Sequence, residues 1–313
     1  MKGAVGPGQI ISLGSINVDF QVRAACWPNP GETLLGSEFL LIGGGKAANV
    51  AYLARRLGAP ARLVGRVGDD SLRVVALRPL QAAGVDLTHT RSVVGCCTGM
   101  ALIVVRPDGE KAIILAPNAN MAWSDQDAEA VAVAVAEASP GSVLVADLEV
   151  PGSIVRRAVE AARHAGHTVV LDPSPAEALA ADLCPAIDYL TPNAGEAEEL
   201  TGIAVRSVED AFRAGEILHA RGVRVVLVKL REGGCALVSA ARREYLPAPR
   251  VEVVDKTGAG DAFAGALGVA LLEGQSEREA GRFAVAAATL AVTRYGSQPA
   301  YPGRAELEEL LRP

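Results

Sequence analysis

No stretch of this chain is apolar for long enough to cross a bilayer, and its first residues lack a basic segment followed by the apolar core of an export signal. Positive charge is not in excess either. Thirty Lys and Arg stand against 36 Asp and Glu, giving a formal net charge of −6. Nucleic acid and anionic membrane surfaces are therefore not expected partners. The five cysteines, Cys26, Cys96, Cys97, Cys184 and Cys235, form no CxxC pair, and no Cys/His set has zinc spacing. They read as buried thiols of a cytoplasmic protein. His89, His164, His167 and His219 lie in helix-like or loop segments without ligand spacing, and His164 and His167 read as exposed surface residues rather than a metal site. Two nucleotide fingerprints are missing as well. No Gly-Lys-Ser/Thr stands at Walker spacing, and no GxGxxG follows a first strand, which disfavours a nicotinamide cofactor.

What the chain has is length and a regular α/β rhythm. Its 313 residues are 50% hydrophobic, with 33 Gly and 18 Pro, ample for one large domain over 1–313. Short β-branched runs at 10–13, 142–146, 168–171, 189–191 and 223–228 predict strands; 154–165, 195–200 and 208–221 predict helices between them. Strands apolar on both faces and joined by helices imply a parallel sheet covered on both sides, a three-layer α/β/α arrangement. Sites in such sheets gather at the carboxyl ends of the strands. The expected ends, 147–149, 172–175, 192–193, 229–230 and 255, carry polar or Pro-marked residues. Two regions, about 19–42 and 98–115, look instead like hairpins, the second turning at Pro107-Asp108-Gly109. They predict a small β-sheet lid or association surface.

The most informative segment is 255–261, Asp-Lys-Thr-Gly-Ala-Gly-Asp, placed between an apolar run at 251–254 that predicts a strand and an Ala/Leu-rich helix. Gly258, Ala259 and Gly260 would leave backbone N–H groups uncovered at a helix start, where an anion is welcome. Asp261 would sit at the rim. An anion cradle beside a carboxylate suits phosphoryl transfer to a hydroxyl, the carboxylate accepting the hydroxyl proton. An ordinary N-cap is the plain alternative.

Other constellations point the same way, each with a structural alternative. Gly43, Gly44 and Gly45 precede Lys46 and Asn49 at the start of a predicted helix, able to face a cleft or to form only a flexible turn. Asn17 and Asp19, two apart at a strand end, suit bidentate contact with sugar hydroxyls, or an Asx-turn. Glu149 follows a buried strand. Asn193 and Glu196 stand three apart at a helix start, on the Mg²⁺–phosphate side of a site or as a first-turn acid favoured by the dipole.

With these residues in their order and spacing, and with Asp172-Pro173-Ser174-Pro175, Thr191-Pro192-Asn193 and the tail 291–299, the chain resembles the ribokinase-like (PfkB-type) carbohydrate kinases over nearly its whole length. The resemblance implies ATP-dependent phosphorylation of the primary hydroxyl of a pentose, D-ribose first, with fructose, deoxyribose or a nucleoside such as pseudouridine as alternatives. A non-catalytic sugar-binding protein is the reading of another class, and the intact Asp261 and glycines count against it. The resemblance implies Asp261 as base, Gly258, Ala259 and Gly260 as anion hole, and Asn17, Asp19, Gly44, Gly45, Lys46, Asn49 and Glu149 as sugar contacts. It implies Asn193, Glu196, Lys229, Arg231, Glu232, Gly233, Gly234, Gly260 and Val285 on the ATP side, with Mg²⁺. A K⁺ ion is implied at Asp255 and the carbonyls of Thr257, Ala291, Arg294 and Gly296, with Ala300 where many members carry a serine. Other departures are Arg231 for a glycine, a charged Lys256, Leu72-Arg73 for an aromatic or aliphatic residue and glycine, and Val285 where a polar or aromatic residue is common. Apolar lid residues, among them Leu40, Leu41 and Ile103, imply a homodimer formed lid to lid.

Overall fold

The computed structural model describes residues 8–312. The expected span 1–313 thus includes residues outside that range. Among the described residues thirteen strands run in chain order: β1 (Ile10–Leu13), β2 (Asn17–Arg23), β3 (Ser37–Gly44), β4 (Ala61–Gly68), β5 (Asp86–Val93), β6 (Gly99–Val105), β7 (Lys111–Ala116), β8 (Val143–Ala146), β9 (Thr168–Leu171), β10 (Tyr189–Leu190), β11 (Val225–Lys229), β12 (Cys235–Ser239) and β13 (Arg243–Leu246). Between and after them come α1 (Lys46–Arg56), α2 (Leu72–Ala83), α3 (Asp125–Ala136), α4 (Gly152–His164), α5 (Ala194–Thr201), α6 (Val208–Ala220), α7 (Ala259–Leu272), α8 (Glu277–Ala291) and α9 (Arg304–Leu311).

Nine strands form one sheet in the order β13-β12-β11-β10-β9-β8-β1-β4-β5, parallel from β11 to β5, with β12 and β13 antiparallel at one edge. Helical crossovers return each parallel strand to the same direction, so all their carboxyl ends open on one rim. Side-chain alternation supplies the two cores. Ile10, Val143, Val145, Val170 and Leu227 pack with α1, α7 and α8, whereas Ile11, Leu13, Leu144, Val169 and Val226 pack with α4 and α6. Each fully buried aliphatic side chain contributes roughly 1.5–3 kcal/mol. Helix α7, Ala-rich and buried along most of its length, packs on the sheet between α1 and α8, and Asn49 of α1 meets Asp261 in its first turn.

The remaining four strands form a second sheet, β3-β2-β6-β7. Opposed residues share a face, so Asn17, Asp19, Gln21, Ala101, Ile103 and Val105 turn inward, all buried. Phe20, Leu41, Leu102 and Ile114 lie in one row on the other face. This is the small lid sheet, and it takes in Asn17, Val18, Gly43, Gly44 and Ala116 beyond the expected bounds.

Three expectations need correction. Residues 251–254 form no strand; they are mostly exposed, and Val254 N and Asp255 N donate to Val292 O at the end of α8 instead of to a sheet. Cys26 and Cys97 are exposed rather than buried. His167 is buried, its Nε2 3.2 Å from Val135 O, so it is a core residue and not a surface one.

Candidate active site

The rim of the large sheet gathers charge. Asp147 lies just past β8, Asp172 past β9, Asn193 past β10, and Lys229 ends β11. Asp147 spends its carboxylate on structure: Oδ2 accepts from Ser15 N at 3.1 Å and Oδ1 from Glu149 N at 2.9 Å. That fixes the backbone at Glu149, whose carboxylate lies 3.9 Å from Lys46 Nζ. Asp172 accepts from Lys229 Nζ at 2.7 Å and from Thr191 Oγ1 at 3.2 Å. The two lysines Lys229 and Lys46 hold its carboxyl below the ordinary range although burial pushes upward.

Helix α7 starts at Gly258, whose φ of 74° is left-handed and whose missing side chain leaves room for Tyr301 and Ser297. Tyr301 Oη donates to Gly258 O at 3.0 Å and holds the turn. The N–H groups of the first turn have no side-chain cap, and only that of Ala259 has a backbone partner there, a long 3.4 Å contact to Lys256 O, so the turn remains open to an anion. A β-carbon on Gly260 would lie 3.4 Å from Lys229 Nζ, which puts that ammonium beside the cradle. Asp261, in the first turn and 8% exposed, accepts from Asn49 Nδ2 at 2.7 Å.

Lys46 Nζ stands 3.9 Å from each of Glu149, Asp172 and Asp261. Burial alone would lower its pKa, but the carboxylates of Asp261, Glu149, Asp172 and Glu196 raise it above the ordinary lysine value. The ammonium stays charged. Asn49 Oδ1 accepts from Gln298 Nε2 at 3.1 Å, which fixes the amide that faces Asp261.

Asn17 and Asp19 share the inner face of β2. Gly44 sits opposite, and any β-carbon there would fall 2.2 Å from Asp19 Oδ2, so only glycine admits the carboxylate. Asn17 Oδ1 is taken by Asn120 Nδ2 at 2.8 Å, leaving the Asn17 amide nitrogen to donate. Asp19 is 4% exposed; burial first, then the nearby Asp261 charge, lift its pKa to about 7, while Lys111 pulls it down. Thus Asn17, Asp19, Gly44, Gly45, Lys46, Asn49, Glu149 and Asp261 come together where lid and sheet meet.

The expected nucleotide residues divide. Asn193 caps α5 with Oδ1, and Glu196 returns its carboxylate to Asn193 N at 2.7 Å, a capping box that gives both a structural role. Burial raises the Glu196 pKa, with Asp172 adding and Lys229 opposing. Arg231, Glu232, Gly233 and Gly234 form the turn between β11 and β12, with Leu230 N donating to Gly234 O; the Arg231 and Glu232 side chains are exposed. Val285, a residue of α8, points into the core and is almost wholly buried, so it offers no surface to a nucleotide.

Asp255 is fully buried. Its Oδ1 accepts from Thr257 N at 2.8 Å, and its Oδ2 from Gly296 N at 2.9 Å and Gln21 Nε2 at 2.6 Å. Thr257 Oγ1 and Gln21 Oε1 are buried without a partner. A carboxylate with a lone pair to spare and two orphaned oxygens fit a cation's needs. Ala291 and Ala300 are fully buried, and the Arg294 side chain points away to Glu306.

Sequence reasoning missed Asn120, Gln298, Gln21 and Lys111. The first three are lone amides with no local signature. Lysine usage was a signal for the fourth: only five of the 30 Lys and Arg are lysine, and Lys46, Lys111, Lys229 and Lys256 all come to this region.

Comparison with known proteins bears on the whole chain. Residues 8–304 match the pfkB family carbohydrate kinases. The ribokinase of Haemophilus influenzae is 37% identical over 299 residues, covering 96% of this chain and 97% of its own. Among solved structures, ribokinase from Thermotoga maritima superposes with a TM-score of 0.84 at 32% identity, covering 97% of this chain and 99% of that one. Arabidopsis thaliana ribokinase complexed with ribose and ATP gives 0.83 at 34%, covering 98% and 99%.

Proposed function

The chain belongs to the pfkB family of carbohydrate kinases, and on that premise we propose that its substrate is D-ribose, phosphorylated by ATP at the 5-hydroxyl. It is a phosphotransferase with an alcohol acceptor. The observation that carries the reading is Asp261, held by Asn49 at 2.7 Å in the first turn of an uncapped helix, beside Lys46. A sugar hydroxyl reaching Asp261 gives it a proton as the oxygen–phosphorus bond forms and the bond to the ADP oxygen breaks. The first-turn N–H groups take up the charge spreading over the phosphoryl oxygens. Asn17, Asp19, Gly44, Gly45, Lys46, Asn49 and Glu149 hold the sugar. The apposed lid excludes water, which otherwise competes as acceptor.

On the nucleotide side, Lys229 and the Arg231–Glu232–Gly233–Gly234 turn meet ATP, with Asn193 and Glu196 reaching its Mg²⁺ through water. A K⁺ ion at Asp255 is supported by the spare carboxylate lone pair and the orphaned oxygens of Thr257 and Gln21. Its charge orders the 255–261 loop and strengthens the anion field. Two copies pair through the outer faces of their lids. The cytoplasm, where ATP is held, is the proposed location, and no helix among the described residues is long and apolar enough to cross a membrane.

The test is ADP release over a panel of ribose, deoxyribose, fructose and nucleosides, with and without K⁺. Ribose should give the highest kcat/KM, and replacing K⁺ by a bulky organic cation should lower the rate. A nucleoside or fructose outperforming ribose would sink the substrate assignment. A rate indifferent to the cation would remove the K⁺ site.

A further inference from the structure

Four of the five lysines fall among the described residues, and three of them have ion-pair partners. Lys46 faces Glu149, Asp172 and Asp261, Lys229 pairs with Asp172 at 2.7 Å, and Lys256 pairs with Glu110 at 2.6 Å. Lys111 makes no ion pair among the described residues, yet it is only half-exposed. Burial depresses its pKa, the charges of Asp261, Asp255 and Asp19 oppose that fall, and Lys46 adds to it. A lysine withdrawn from water with no carboxylate in contact is costly, and it persists where an anion comes to meet it.

Its position is built, not incidental. Lys111 opens β7 opposite Val105, and Val105, Ile103 and Ala101 on β6 share the face that carries Asp19 and Gln21 on β2. Val105 is fully buried, so the register of the hairpin cannot slip without exposing it. The preceding turn is fastened to the catalytic loop at two points. Lys256 N donates to Gly109 O at 3.3 Å, and Lys256 Nζ meets Glu110. Lys256 lies two residues before Gly258, so the two ties bring the lid turn to the threshold of the anion cradle.

We propose that Lys111 is a lid-borne phosphate-binding residue, its ammonium contacting the phosphoryl group in transit and the phosphate of the sugar product. The proposal rests on the phosphotransfer reading above. A neutral sugar has no need of a further cation, since Lys46 already serves the hydroxyl side, whereas a phosphoryl group brings the anion that Lys111 lacks. Lys229 and the N–H groups of Gly258, Ala259 and Gly260 meet that group from the body of the protein, and Lys111 meets it from the lid. Lys111 keeps its protons throughout, because Asp261 takes the one released by the hydroxyl.

The experiment compares wild type, Lys111→Met and Lys111→Arg in steady-state assays, and by calorimetry with ribose and with ribose 5-phosphate. Wild-type turnover of ribose by itself tests the kinase reading; the variant-to-wild-type ratios test the lysine. Lys111→Met should lose roughly 10- to 100-fold in kcat, the worth of one hydrogen bond to a charged group. Its ribose KM should stay within about threefold, and its affinity for ribose 5-phosphate should fall about tenfold while that for ribose holds. Lys111→Arg should recover most of both losses. The proposal is overturned by a kcat within twofold of wild type with unchanged sugar-phosphate affinity. Equal losses of affinity for ribose and ribose 5-phosphate overturn it too, because they mark a sugar contact or a packing defect. Lys111→Gln replaces the Met variant should the latter not fold.

Discussion

Asn49 Nδ2 donates to Asp261 Oδ2 at 2.7 Å, joining the first turn of α1 to the first turn of α7. The bond occupies one oxygen of the carboxylate and leaves the other toward Lys46 and the cleft. Asp261→Asn keeps the shape but cannot accept a proton, so kcat should drop by roughly 10²–10⁴-fold. Ribose affinity, measured by calorimetry, should stay within a few-fold. A variant with more than a tenth of wild-type turnover would show that the proton goes elsewhere. Asn49→Leu should lower kcat/KM by about tenfold, the cost of a lost hydrogen bond to a charged group.

Lys46 is the common counter-charge of Glu149, Asp172 and Asp261. Lys46→Met leaves these acids facing one another in a cleft largely closed to water. A loss of roughly 3–5 kcal/mol in stability is expected, the usual consequence of removing one partner from a buried ionic cluster. Because the surrounding acids hold the Lys46 pKa above its ordinary value, the loss should be the same from pH 6 to 9. Urea unfolding across that range checks it; an unchanged midpoint would mean that Lys229 alone neutralises the cluster. Lys46→Arg should not restore turnover, since a planar guanidinium cannot stand at equal distances from three acids in this space.

Strands 10–13 and 168–171 were legible because they are apolar on both faces, which only a doubly covered sheet accommodates. The run 251–254 misled because β-branched residues also suit an extended edge segment, and here a helix terminus rather than a strand takes its hydrogen bonds. Asn17 and Asp19 were legible as a pair, since alternation by two is a local property. Asn120, which fills Asn17 Oδ1, was not, being 103 residues away with nothing in its own neighbourhood to mark it. Lys256, out of place in its motif, is explained by Glu110, a partner in the lid 146 residues earlier.

Asp19 should make the empty protein less stable as pH rises. Its carboxyl titrates at about 7 when folded and at 3.8 in the ordinary state, because burial and Asp261 disfavour its charge. Between those values the folded state binds the extra proton, so its contribution to stability is full below about pH 4 and lost by pH 7. The upper limit is about 1.4 kcal/mol per pH unit. Asp19→Asn should remove this slope, so the gap between variant and wild-type thermal midpoints widens from pH 4 to 7 and is flat above. Ribose affinity of the wild type should weaken as pH falls through 7, because the neutral acid accepts fewer hydroxyl hydrogen bonds. A gap independent of pH would show that Asp19 is ionised throughout.

The outer face of the lid carries Leu41, Phe20, Leu102 and Ile114 as one row across four strands, with Leu41 42%, Leu102 48% and Ile114 71% exposed. A contiguous apolar face on a small sheet invites association, and this one carries no charge within the row. A second copy laid face to face would cover it with the same row, the self-complementary arrangement of a two-fold dimer. Wild type at micromolar concentration should therefore sediment as a dimer, and Leu102→Lys combined with Ile114→Glu should sediment as a monomer. Both substitutions lie on the face turned away from Asp19 and Asp261, so the monomer should still bind ribose. Its turnover would then report how far pairing stiffens the lid. Wild type that remains a monomer at every concentration would leave the row as ordinary exposed strand surface and refute the pairing.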